Sequence, residues 1–297
     1  MLALALAAAA APARAATLFD ATPRMAVMSA FGPELALLSS RLEHAKSHMV
    51  DGVTFTTGRL HGKPVVLFLS GVSMVNAAMN TQRALDHFHI THILFSGIAG
   101  GVDPGLHIGD VVVASRWAQY MGSVMARQTA PGTYQPPPWM TDVIHPNFGM
   151  MFPRPVKVRS PAHPDMHKVF WFQADPRMLA VARRIRSVAL SACNAAKRCL
   201  AHKPGLVVGG NGVSGPAFVD NAQLRQYLFK SFQARVLDME SAATAQVAYS
   251  NGVPFLVFRS LSDLAGGDAG KNQMQTFMDI AAGNSAKVLL AFLDAWK

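Results

Sequence analysis

The chain has 297 residues of which 51% are apolar, enough to bury a sizeable core, so length and composition point to a globular domain of enzyme size. Its 27 basic against 17 acidic residues leave a formal charge of +10, but the positive charge is spread out. The densest cluster, Arg183-Arg184-Ile185-Arg186, falls on an expected helix without interleaved aromatics, which argues for a solvated basic surface and against a nucleic-acid partner.

Residues 1–15, MLALALAAAAAPARA, are apolar, too short to span a bilayer and end on the small-x-small triplet Ala13-Arg14-Ala15. They read as a secretory signal peptide, which places the mature protein, residues 16–297, in the periplasm or outside the cell. No later run reads as long enough to cross a membrane.

Residues 25–30 (MAVMSA) predict a short buried strand, and 34–45 (ELALLSSRLEHA) a helix entered through Gly32-Pro33. TFTTGRL and PVVLFLS have strand composition and are separated by a His-Gly-Lys turn. Residues 73–88 predict an amphipathic helix, HILFSG a buried strand ending in the glycine-rich turn GIAGGVDPG, and DVVVAS a further strand. From about 118 to 174 the periodicity dissolves. Nine of the 18 prolines lie between 131 and 164, so this stretch predicts a long irregular insertion, and Trp139, Phe148 and Phe152 imply that it docks.

Regularity returns with a helix over 175–190, Pro176 at its first turn. Then follow a strand LVVGG, a loop NGVSGPAFVD, a helix over 221–232, a strand ARVLDM, a helix from 240, a strand PFLVFRSLSD and a final helix. Strands alternating with helices imply a single α/β domain, a central mixed, mainly parallel sheet flanked by helices. The two cysteines, Cys193 and Cys199, are six residues apart. In an oxidising compartment they can pair, which requires the helix to break between them; the alternative is two free thiols.

In an open α/β sheet, ligands bind beyond the carboxyl ends of the strands. Glu34, the run Gly97 to Gly101, Met239-Glu240 and Ser262-Asp263 all map to that edge, so three acids from separate parts of the chain converge on one rim. An acid at such a place costs several kcal/mol unless it is used. Other signals are weaker. Gly210 to Gly215 satisfies GxGxxG, but Pro216 follows and no helix opens there, so its glycines read as turn residues. His44 and His48 share a helical face, and His87, His89 and His92 crowd one turn, but neither set has a completing ligand, so no metal is expected. Gly71-Val72-Ser73 lacks the second glycine of a nucleophile elbow.

The stretch LDMESAATAQVAYSNGVPFLVFRSLSD, with LFSGIAGGVDPGLHIGDVVVAS upstream, resembles the purine nucleoside phosphorylase and methylthioadenosine/S-adenosylhomocysteine nucleosidase superfamily over residues 24–117 and 175–297. The resemblance implies roles. Glu240 would accept hydrogen bonds from ribose hydroxyls with Met239 packed on the sugar, Asp263 would protonate purine N7 with Ser262 orienting it, and Glu34 would be the base for water. Phe218 would stack on the base while Val219 offers its backbone to the purine edge, and Ile98 and Gly100 would line the glycine-rich side. It further implies hydrolysis of adenine-type nucleosides without cofactor, and a homodimer or higher homo-oligomer. The phosphorylase branch places arginines after the first strand and before the glycine-rich turn, and a hydroxyl residue within that turn. Here Arg41 is the first arginine after that strand, with Phe95 and Ile98 at the latter two positions, which favours water over phosphate. A phosphorylase, or a non-catalytic nucleoside-binding or storage protein of the same fold, is the alternative.

Overall fold

The computed structural model describes residues 18–297; the expected leader, 1–15, lies outside them. The first strand, β1 (Arg24–Ser29), is apolar and buried nearly throughout. Helix α1 (Gly32–Ser40) opens with Pro33 in its first turn, where a missing N–H costs nothing. It ends well before residue 45, because residues 43–50 pair instead. β2 (Glu43–Val50) and β3 (Val53–Leu60) form an antiparallel hairpin. Asp51 and Gly52 at its tip both have left-handed φ, 46° and 81°, the combination that matches strand twist in a two-residue turn. His44 and His48 therefore lie on a strand, not on one helical face.

β4 (Lys63–Leu69), α2 (Met74–His87) and β5 (Ile90–Gly101) follow. β5 overturns the expected glycine-rich turn: the chain stays extended through Gly101. After β6 (Val111–Val113) and β7 (Arg116–Gln119) comes the proline-rich stretch, and it too departs from expectation. It folds into β8 (Ser123–Met125), β9 (Arg127–Ala130), β10 (Thr133–Gln135), β11 (Met151–Pro153), β12 (Val156–Ser160) and β13 (His163–Val169), which pair as three small two-stranded sheets. Proline removes a ladder donor but is tolerated at turns and edges, so the prolines break this region into short hairpins without abolishing pairing. Phe152 is buried, whereas Trp139 is 65% exposed.

β14 (Phe172–Gln173) returns to the main sheet, and α3 (Pro176–Arg184) stops six residues short of 190 at an extended Ile185. The irregular segment beyond it lets Cys193 and Cys199 meet as a disulfide. β15 (Leu206–Val208) precedes β16 (Asn211–Ser214), a buried strand where a loop was expected. Then come α4 (Ala222–Phe232), β17 (Ala234–Asp238), α5 (Ser241–Asn251), β18 (Phe255–Asp263) and α6 (Met274–Ala295).

The main sheet runs β14-β7-β16-β17-β5-β1-β4-β3-β2, with β18 added on β5 and continuing through β6 to β15. It is mixed: β5 pairs parallel with β1 and β18 but antiparallel with β17. The carboxyl ends of β1, β5, β17 and β18 thereby meet at one place. By length and composition α6 is apolar enough to cross a membrane, contrary to expectation, but here it packs against β18 and β5 as a core helix.

Candidate active site

At that meeting point lies a largely apolar cavity of about 330 Å³, inside the roughly 300–1,000 Å³ range of small-molecule sites. Of the residues singled out at the strand ends, all but Gly97 and Gly101 line it. Glu34 comes from the first turn of α1 and Ile98 and Gly100 from β5; Met239 and Glu240 follow β17, and Ser262 and Asp263 close β18. Phe218 and Val219 reach it from the segment before α4. Phe218 stands at the mouth, 54% exposed, while Val219 is buried.

The sequence reading missed Arg259. It sits inside the all-buried run of β18, has no exposed surface, and points at the three acids around the cavity floor. Its Nε is 2.7 Å from Asp238 Oδ2, its Nη2 3.3 Å from Glu240 Oε2 and its Nη1 3.7 Å from Glu34 Oε1, while its guanidinium lies 4.3 Å over the Phe95 ring. Burial favours loss of its proton, but Asp238, Glu240 and Glu34 outweigh that and hold it charged. A signal was available: an arginine amid PFLVFRSL is unaffordable in a core without partners. Gly97 is what lets them approach, since a Cβ there would stand 2.1 Å from Arg259 Nη1 and 2.6 Å from Glu34 Oε1.

Asp238, also missed, is structural. Its carboxylate accepts the N–H groups of Glu240 and Ser241 at 3.2 and 3.1 Å and the hydroxyls of Ser214 and Ser241, capping α5 from outside the helix. Glu240 is thus left facing the cavity, with Oε1 taking the Ser73 N–H at 2.8 Å. Burial pushes its carboxyl up to about 7, against the pull of Arg259.

Glu34 accepts the N–H of Ala30 at 2.7 Å and of Ile98 at 2.6 Å. Burial raises its carboxyl, with Arg259 opposing. Ile98 therefore serves through its backbone: its N–H orients Glu34 and its carbonyl accepts from Arg259 Nη1 at 3.2 Å, which needs no side-chain hydroxyl. Asp263 is also raised by burial, although the Ala265 N–H at 2.8 Å and the Ser262 hydroxyl at 2.9 Å favour its ionised form. The cavity thus has Asp263 on one side and Glu34 and Glu240 beside a buried cation on the other, and burial raises all three carboxyls.

The histidines do not join this site. His48 packs between Phe19 and Phe88, and His92 against Trp296. Among the described residues no group of three His, Cys, Asp or Glu is placed to hold a metal ion.

The family model described as the phosphorylase superfamily matches residues 24–294. The 5'-methylthioadenosine/S-adenosylhomocysteine nucleosidase of Geobacillus kaustophilus is 29% identical over 92% of this chain and 98% of its own length. The nucleosidase of the same name from Halalkalibacterium halodurans is 30% identical over 91% of this chain and 97% of its own. Among solved structures, the 5'-methylthioadenosine/S-adenosylhomocysteine nucleosidase of Streptococcus pneumoniae with a transition-state inhibitor superposes with a TM-score of 0.68, at 26% identity, covering 92% of this chain and all (100%) of the other. The corresponding Colwellia psychrerythraea enzyme in complex with adenine gives 0.68 at 26% identity, over 94% and 97% of the two chains.

Proposed function

The chain belongs to the phosphorylase superfamily, and within it we propose that this protein is a purine nucleosidase, an N-glycosidic hydrolase that splits adenine-type nucleosides of the methylthioadenosine or S-adenosylhomocysteine class into free base and ribose moiety. One observation carries the choice of water over phosphate. Glu34, Asp238 and Glu240 surround Arg259, the one buried cation among the described residues, so the guanidinium that a phosphate dianion would need is already occupied. A dianion brought there would meet an excess of like charge.

The chemistry follows from the placement. As the glycosidic bond breaks, the ribosyl group becomes oxocarbenium-like and the base must leave neutral. Asp263, whose burial favours its acid form, supplies the proton to purine N7 with Ser262 orienting it. Glu34 receives the proton of the attacking water; with two backbone N–H groups on its oxygens it still has free lone pairs to do so. Glu240 takes two O–H donors from the ribose diol, Met239 packs on the sugar, and Phe218 stacks on the base whose edge faces the Val219 backbone.

The test is free-base release from methylthioadenosine, adenosine and inosine, with and without phosphate. Release independent of phosphate is expected. Strict dependence on phosphate would overturn the hydrolytic reading, and binding without release would make the protein a nucleoside-binding one.

A pH dependence follows from Glu240. Because its carboxyl is held up to about 7, it is protonated below that and offers one acceptor fewer to the diol. The raised Glu34 loses its base function in the same direction. kcat/KM is therefore expected to fall as pH drops through about 7; a flat profile between about pH 5 and 8 would refute the assignment.

We also propose a homodimer and export. Val72, which lines the cavity, and Val75 and Met79 on the helix that follows it are exposed apolar residues, which suits a self-complementary interface; a monomer in sedimentation would exclude it. The Cys193–Cys199 disulfide suits an oxidising compartment, and recovery of both as free thiols from the native host would count against export.

A further inference from the structure

Strand β4 ends at Leu69 and α2 begins at Met74, and the residues between them, Ser70 to Ser73, are held at every carbonyl. The Ser70 carbonyl accepts from Asn80 Nδ2 at 2.8 Å and the Gly71 carbonyl from the Ser70 hydroxyl at 2.9 Å. The Val72 carbonyl accepts from Asn76 Nδ2 at 2.8 Å and the Ser73 carbonyl from the Ala77 N–H at 3.0 Å. Asn76, Ala77 and Asn80 all belong to α2, so the helix clamps the loop that leads into it.

The clamp holds a strained residue. Ser73 has φ 79° and ψ 165°, a region open essentially to glycine alone, where a residue with a side chain persists only if its surroundings over-determine it. Capping does not offset that strain: Ser73 occupies the N-cap of α2, yet its side chain makes no capping bond. What the conformation does is aim the Ser73 N–H, which donates to Glu240 Oε1 at 2.8 Å. The same peptide unit carries the Val72 carbonyl. A trans peptide is planar, with its C=O and N–H pointing in opposite directions, so whatever fixes one aims the other. Asn76 grips the carbonyl end, and Glu240 takes the N–H end.

We propose that Asn76 is a positioning residue for Glu240, acting through the Val72–Ser73 peptide, whose orientation it fixes against the strain at Ser73. The inference rests on the reading of Glu240 as the acceptor for the ribose diol. Nothing in the resemblance or in the family match assigns this asparagine a role. Asn76 is neutral and exposed, so its replacement leaves the charges around Glu240 unaltered. Those charges are Arg259 of β18, with Nη2 at 3.3 Å, Asp238 at the end of β17 and Glu34 of α1.

Asn76→Ala frees the Val72 carbonyl, the strained peptide relaxes, and Glu240 loses a donor to its ionised form. Glu240 then keeps its proton to higher pH, so the acid limb of kcat/KM, expected at about pH 7, should move upward by about half a pH unit, roughly threefold in rate on that limb. Adding Ser73→Gly to Asn76→Ala should bring the limb back, because glycine holds the same φ without strain and needs no clamp. If Asn76 served only packing or a subunit contact, its loss would lower activity at every pH with the limb in place, and a change at residue 73 would not repair it; that result overturns the proposal. Carbon NMR titration of the Glu240 carboxyl in the ligand-free wild type, Asn76→Ala and the double variant separates this failure from failure of the nucleosidase reading. A titration that rises in Asn76→Ala and returns in the double variant supports the positioning role even if no nucleoside is cleaved. One that is unchanged in Asn76→Ala, or raised there and not restored by Ser73→Gly, ends it.

Discussion

Asp263→Asn is expected to lower kcat for base release by about 10²- to 10⁴-fold, the usual contribution of a positioned proton donor, while leaving KM and thermal stability close to wild type. The change is nearly isosteric. An asparagine oxygen can keep the Ala265 N–H that Asp263 Oδ1 now accepts at 2.8 Å, and the Ser262 hydroxyl at 2.9 Å can reorient toward the amide. What is lost is the transferable proton: an amide donates a hydrogen bond to N7 but does not protonate it. Steady-state kinetics, adenine binding and a melting curve on the same preparation check this together. Retained kcat would remove Asp263 from the reaction, and a collapsed melting curve would show the loss to be structural. Glu34→Gln offers the complementary case, expected to suppress hydrolysis while nucleoside binding persists.

Arg259→Met should be the most damaging single change to the fold. Methionine approximates the length and apolar stem of arginine, so packing over Phe95 is largely kept, but the cation shared by Glu34, Asp238 and Glu240 disappears. Breaking a buried pair by removing one partner costs about 3–5 kcal/mol, because the remaining charge has no compensation. The cost depends on pH with a defined sign. Burial already raises Glu34 and Glu240, and removing the Arg259 pull raises both further. A carboxyl whose folded pKa lies above its unfolded one contributes stability below the unfolded value and loses it as pH rises through the folded value. The variant should therefore approach wild-type stability in acid and fall furthest behind above about pH 7, the value to which Glu240 is held in the intact protein. Urea unfolding at several pH values measures this. A variant equally stable at all pH values would mean that the three acids do not depend on Arg259. Arg259→Lys should recover only part of the loss, since a point ammonium cannot fork to three carboxylates on different elements.

Several elements were legible in the chain because their cause is local. β1 and β18 are short apolar runs, α2 has helical periodicity, and Pro33 and Pro176 stand at helix starts. Where expectation and structure part, a distant partner decided. Residues 43–50 have helical composition but pair with β3; Gly97 to Gly101 read as a turn but are held extended by β18 and β17; Asn211 to Ser214 read as a loop but lie between β7 and β17. In each case ladder hydrogen bonds and burial outweigh local propensity.

The same division runs through the site. By itself the sequence determined the α/β class, the strand ends that carry Glu34, Met239, Glu240 and Asp263, and the family these motifs resemble, because strand runs and the residues that end them are contiguous in the chain. Only the tertiary structure decided that Arg259 holds three acids together, that Asp238 caps a helix while Glu240 faces the cavity, and that Ile98 works through its backbone. Those outcomes rest on Coulombic and hydrogen-bond contacts of a few ångströms between residues separated by up to 225 positions, and such contacts leave no periodic trace in a linear sequence.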